Sequence, residues 1–131
     1  MTEPDPSTVY DAVGGQPFFD DLAARFYERV ALDAVLRPLY PEDEAEFEAS
    51  GRWLALFLGQ YWGGPTSYSE QRGHPRLRMR HAGFAVGRRE RDAWYGAMAA
   101  SVGEADVAPE LEARLLEYFA MAADHLVNAP G

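Results

Sequence analysis

The segment from Gln60 to His81, QYWGGPTSYSEQRGHPRLRMRH, holds the side chains best suited to chemistry. A double glycine breaks an aromatic helix, an arginine-rich loop follows, and a short helix opened by Pro75 closes on a histidine. An imidazole at a helix end can be aimed into an apolar slot while a carbonyl holds its second ring nitrogen, the arrangement of an axial iron ligand. Leu77 and Met79 supply apolar neighbours for His81, and Arg80 is placed to pair with a carboxylate. One imidazole ringed by cations suits an anionic, iron-bearing macrocycle. Phe47, Leu54, Phe57, Leu58 and Phe84 provide the apolar area such a group would bury. Each of them would also be an ordinary core residue in any helical fold.

Three polar aromatics go with that site. Tyr27 lies within an apolar helical stripe, Tyr40 at a proline corner and Trp94 in mid-helix. Each carries a hydroxyl or indole N–H that needs a partner when buried, so each alone is a packing residue with one hydrogen bond. Facing His81 together, they would form a hydrogen-bonding cage for a diatomic ligand. The other histidines are less telling. His74 precedes Pro75 and caps the short helix or faces solvent, and His125 lies beside the apolar stripe of the last helix.

Other chemistries are excluded by what is missing. There is no cysteine, which removes disulfides, thiolate metal sites and iron–sulfur clusters. All twelve basic residues are arginine, so there is no lysine for a Schiff base or a phosphate-binding loop. The three histidines show no HExxH or facial-triad spacing, and no GxSxG elbow is present. A net charge of −9 opposes nucleic-acid binding. The positive charge is nevertheless local, with seven of the arginines between Arg72 and Arg91, where they form a solvated patch or a site for an anionic ligand.

The elements that must position these groups are helical. At 131 residues the chain is long enough for one domain with a real core. No apolar run approaches the roughly 18 residues of a membrane span. The amino-terminal MTEPDPSTVY has neither the basic start nor the apolar stretch of a secretory signal, so a cytoplasmic location is expected. A short helix is expected from Thr8 to Val13, ended by Gly14-Gly15, then a long one carrying Phe18, Leu22, Phe26 and Val30 at four-residue spacing. Asp33 should cap a short turn to Leu36, stopped by Pro38. A helix from about Glu42 to Tyr61 follows, with an irregular segment from Gly63 to Gly73. Further helices should start near Gly87 and at Pro109, the last carrying Leu111, Leu115, Tyr118, Phe119, Ala122 and Leu126. The expected fold is all-α, with four substantial helices and short accessory ones.

The chain resembles the group II truncated haemoglobins, the HbO-type bacterial globins, from about Tyr10 to Asn128. The likeness rests on an ordered set: YDAVGG at Tyr10, RFYERV at Arg25, LRPLYPED at Leu36, QYWGGP at Gln60, YSEQRGHPRLRMRH at Tyr68 and ERDAW at Glu90. It implies a truncated globin domain over residues 10–128, a two-over-two helical sandwich around haem b, between a flexible start (1–9) and a short tail (129–131). It implies His81 as proximal iron ligand and places Tyr27, Tyr40 and Trp94 in the distal pocket, where they donate to bound oxygen. Counting back from the double glycine puts Ser50 at the distal gate, with Leu54 one turn further. Many group II members carry alanine at that gate, and the serine here adds a hydroxyl. Phe57, Leu58, Leu77 and Phe84 would line the cofactor, with Tyr68 and Arg80 near its propionates.

The expected function is reversible binding of dioxygen, carbon monoxide, nitric oxide or peroxide, with slow release. Slow release favours oxygen sensing, redox work or detoxification over transport. Any turnover requires an external electron donor, since no reductase domain is present. Two alternatives stay open. One is a haem enzyme proper, a peroxidase or nitric-oxide dioxygenase. The other is a haem-free helical interaction module. Self-association is neither required nor forbidden by the acidic surface.

Overall fold

The computed structural model describes residues 6–72 and 87–127, whose regular elements are all helical, with no strand among them. Among the described residues six α-helices order as α1 (Pro6–Ala12), α2 (Gln16–Leu32), α3 (Glu44–Tyr61), α4 (Ser67–Arg72), α5 (Arg88–Glu104) and α6 (Pro109–Leu126), with a 3-10 turn at Arg37–Leu39 between α2 and α3. Helix α2 packs on α3 and α5 on α6, and α2 also crosses α5, so the two pairs share one core. Phe19, Leu22, Phe26 and Val30 of α2 meet Phe47 and Leu58 of α3, Met98 and Val102 of α5, and Leu115 and Phe119 of α6. That all-α architecture is the one expected.

Local chemistry explains the boundaries. Pro17 sits in the first turn of α2, where its missing N–H costs nothing. Gly14 and Gly15 precede it with φ of 101° and 81°, a left-handed pair that side-chain-bearing residues resist. Asp33 ends α2, and its Oδ1 accepts from the Val35 and Leu36 N–H groups at 2.8 and 3.0 Å. Asp43 caps α3 by accepting from the Glu46 N–H at 3.0 Å, with Glu44 and Glu46 in the first turn. Gly87 starts α5, and the Glu90 side chain reaches back to its N–H at 2.9 Å.

Three expectations change. Pro38 does not stop a turn; it lies inside the 3-10 turn, near its start, where a fixed φ is compatible with the helix. The stretch expected to be irregular up to Gly73 contains α4. Gln60 anchors it with both ends of its amide: Nε2 donates to Ser69 Oγ at 2.7 Å, and Oε1 accepts from the Ser69 N–H at 2.9 Å. Helix α3 also starts two residues later than expected, after its Asp43 cap.

The glycine turn after α3 is a docking point for α1. The Tyr10 N–H donates to the Trp62 carbonyl at 3.2 Å, and the Tyr10 ring stacks on Phe19 at 6.0 Å. A Cβ at Gly64 would overlap the Tyr10 ring, and one at Gly59 would collide with the Gln16 side chain, which donates to the Ala55 carbonyl at 2.9 Å. Close approach of backbone to side chain is thus what these two glycines provide.

Candidate functional site

Tyr27 from α2, Tyr40 from the corner before α3, and Trp94 from α5 come together. Tyr27 and Tyr40 meet edge to face with centroids 5.4 Å apart, and both lie against Phe47 at 5.1 and 6.0 Å. Trp94 meets Phe26, the neighbour of Tyr27 on α2, at 5.6 Å and rests on Phe119 at 6.1 Å. The Tyr40 hydroxyl is within hydrogen-bonding reach of the Trp94 indole N–H, which can only donate. The elements that bring them here are those the sequence specifies: α2 by its four-residue stripe, Tyr40 by the turn that Asp33 caps, α5 by its crossing with α2.

Electrostatics keeps these groups as donors. Burial pushes the Tyr27 phenol well above its usual range, the neighbouring Tyr40 adding to the shift and a contact with Ser50 opposing it. Burial raises Tyr40 as well, with the Trp94 contact working the other way. Both hydroxyls therefore keep their protons at any ordinary pH. No group of three or more histidine, aspartate or glutamate side chains that could hold a metal occurs among the described residues. The cluster offers hydrogen bonds, and it offers no metal ligands.

Ser50 lies on α3 beside Tyr27, half-buried, and its hydroxyl donates to the Glu46 carbonyl at 3.1 Å. Next to it, Gly51 meets the Tyr27 ring at 3.5 Å from where a Cβ would stand, an ordinary contact that seats the ring on the helix. Helical spacing along α3 does not single that glycine out. Ser50, Leu54, Phe57 and Tyr61 follow at helical spacing and form one stripe along α3. Leu54 and Phe57 are half-buried and Tyr61 is 41% exposed. Leu58, one position off the stripe, is buried in the helical core at 1% exposure. Tyr68 of α4 is also buried and meets Phe57 at 5.6 Å and Trp53 at 6.2 Å. His81, Leu77, Arg80 and Phe84 lie outside the described residues.

These features fit a flat, apolar, metal-bearing cofactor. A half-covered apolar stripe on α3 runs beside a cage of neutral donors, whereas a stripe facing only solvent would be polar. The donor set suits a small acceptor held by something other than the described side chains.

Comparison with known proteins gives the same answer. The chain matches the family model described as bacterial-like globin over residues 8–128. It is 36% identical over 119 residues to the group 2 truncated hemoglobin YjbI of Bacillus subtilis, covering 91% of this chain and 87% of that one. The X-ray structure of a thermostable hemoglobin from the actinobacterium Thermobifida fusca superposes with a TM-score of 0.89 at 51% identity, covering 94% of this chain and 98% of the other. A truncated oxygen-avid haemoglobin from Bacillus subtilis superposes at 0.84 and 34% identity, covering 95% and 100%.

Proposed function

The chain belongs to the bacterial-like globin family and is a group II truncated haemoglobin, and from that premise we propose that it binds dioxygen at haem b held by His81 and releases it slowly. When bound, haem supplies the iron that takes up a diatomic gas. The chain's own residues set what happens to that gas. Tyr27, Tyr40 and Trp94 are three donor-bearing side chains from separate elements, and their protonated hydroxyls and indole N–H would meet negative charge on a gas held beside them. Phe26, Phe47 and Phe119 around them exclude water, which strengthens each hydrogen bond. Ser50 and Leu54 flank the cage on α3 as its gate, and Phe57 continues the apolar stripe under the cofactor. Leu58 would support that stripe from the core, and by the family resemblance Leu77 and Phe84 would add apolar surround, with Arg80 and Tyr68 on the propionate side.

The observation that carries this reading is the convergence of Tyr27 and Tyr40, with Trp94 in reach of Tyr40. Each hydrogen bond to a ligand in such a cage contributes about 1–3 kcal/mol, so release is slow. The oxygen-avid relative from Bacillus subtilis supports the same expectation. A tight binder delivers oxygen poorly, so the role is sensing, redox chemistry or detoxification in the cytoplasm, with electrons from an external donor.

The test is an absorption spectrum of the purified protein as isolated, after dithionite, and after carbon monoxide or oxygen. A Soret band that shifts with redox state and gas is expected. No Soret band, even with added hemin, would overturn the reading. In His81→Ala the normal ferrous spectrum should be lost, and its retention would move the ligand to His74 or His125.

A further inference from the structure

Two of the three cage donors stand on long helices, Tyr27 on α2 and Trp94 on α5, each of 17 residues. Tyr40 does not. It closes the 3-10 turn with an extended backbone, φ −118° and ψ 162°, and the chain then runs through Pro41 and Glu42 to the Asp43 cap before α3 begins. This corner belongs to no helix, and Pro41 has no N–H to give. Donors for its carbonyls must come from outside a helical ladder.

Arg37 supplies them. Its own backbone is tied at both ends: its N–H donates to the Asp33 carbonyl at 2.9 Å, and its carbonyl accepts from the Tyr40 N–H at 3.2 Å. The guanidinium then turns over the corner. Nη1 donates to the Pro41 carbonyl at 2.8 Å and reaches the Tyr40 carbonyl at 3.5 Å, while Nη2 reaches the Glu42 carbonyl at 3.4 Å. The guanidinium carbon lies 4.1 Å from the centre of the Phe47 ring, against which both Tyr27 and Tyr40 rest. One planar cation thus spans three successive carbonyls and stacks on an aromatic wall of the cage. A lysine could not do both, because its ammonium is a compact point charge without a flat face.

We propose that Arg37 is a positioning residue for ligand retention, which holds the corner so that Tyr40 stays in the cage and thereby sets how fast bound oxygen leaves. The proposal rests on the haem reading above. Tyr27 and Trp94 are carried by helices packed through the core, so loosening the corner falls on Tyr40 first. What Arg37 maintains is the Tyr40 ring at 5.4 Å from Tyr27, with its hydroxyl in reach of the Trp94 indole N–H.

The test measures oxygen dissociation from the haem-loaded protein and the C–O stretching band of its carbon monoxide form. Arg37→Met keeps an apolar stem beside Phe47 and removes every donor, and Arg37→Lys keeps the positive charge as well. Each is made alone and together with Tyr40→Phe. Release should quicken about tenfold in Arg37→Met and about threefold in Arg37→Lys, and the carbon monoxide band should move toward its position in Tyr40→Phe. In the Tyr40→Phe background neither substitution should change the rate or the band further, because the hydroxyl through which Arg37 acts is gone. The lysine variant completes the same cycle should the methionine variant fail to take up haem. Unchanged release in the Arg37 variants, or equal acceleration with and without the Tyr40 hydroxyl, would overturn the proposal and leave haem binding standing. Absence of a Soret band in the native protein would overturn both.

Discussion

Tyr27 and Tyr40 meet edge to face, with ring centroids 5.4 Å apart and planes inclined by 74°, although one comes from the middle of α2 and the other from the corner before α3. The contact places two phenols in one largely apolar space, where neither can ionise cheaply. Both are held above the usual tyrosine value of 10.0, mainly by burial. The linkage has a definite sign. The folded protein keeps these protons while the unfolded chain loses them above pH 10.0, so the stabilisation is complete below that pH and declines above it. Thermal unfolding followed from pH 8 upward should show a flat midpoint that drops beyond about pH 10. In Tyr27→Phe the drop should be shallower, and an equal drop would mean that these phenols titrate normally in the fold.

Ligand release should report the cage directly. Trp94→Phe removes the indole N–H that α5 brings within reach of Tyr40, and Tyr27→Phe removes a hydroxyl from the α2 side. Loss of one hydrogen bond to a bound ligand, about 1.4 kcal/mol, corresponds to about tenfold faster oxygen dissociation. Stopped-flow displacement of oxygen by carbon monoxide measures it. Unchanged rates in both variants would show that the cage does not touch the ligand.

Much of this arrangement was legible because it follows from local rules. The Phe18–Val30 spacing, the Asp33 cap, Pro17 and the glycine pairs each act over a few residues, and they place α2, α3 and the turn carrying Tyr40. What was hidden depends on contacts distant in sequence. Helix α4 has too short and polar a sequence, SYSEQR, to show a period, and its order comes from the Gln60 amide nine residues back. Gln16 finds its acceptor 39 residues away at Ala55. The seat of Tyr27 on Gly51 likewise depends on how helices cross, which spacing within one helix does not encode.

Gly64 offers a check on how α1 is held. A methyl group there would run into the Tyr10 ring, so Gly64→Ala must push Tyr10 off the turn and off Phe19. The expected cost is about 1–3 kcal/mol. Pairing it with Tyr10→Ala should recover part of the loss, because the obstructing ring is gone. Denaturant unfolding of the three variants measures this, and strictly additive losses would refute the overlap.

The Asp33 cap should matter beyond its size, since it orients the turn that delivers Tyr40. Its carboxylate satisfies two backbone N–H groups, and the adjoining Leu36 is fully buried. Asp33→Ala should cost about 1 kcal/mol, or about 3–5 °C in unfolding temperature. Asp33→Asn, which keeps an acceptor oxygen, should recover most of it. If alanine and asparagine were equally destabilising, charge at this position would matter and capping would not.

A last prediction concerns the link between α2 and α5, the crossing that sets Trp94 against Phe26. Glu104 at the end of α5 accepts from Arg29 at 2.9 Å and from Arg25 at 3.4 Å, and Arg25 is itself braced by Asp21 at 2.7 Å. The Arg29 hydrogen bond is the main reason that the Glu104 carboxyl is held down to about 2, against the usual 4.5. All three side chains are about a third or more exposed, so salt screens the attraction and its contribution is modest. A depressed carboxyl stabilises the fold above its unfolded value and loses that effect as acid protonates the folded form. The unfolding midpoints of the native protein and Glu104→Gln should therefore differ above pH 4.5 and converge as the pH approaches about 2. High salt should shrink the gap at neutral pH. A gap that persists unchanged to the acid limit would mean that Glu104 acts through packing and not through its charge.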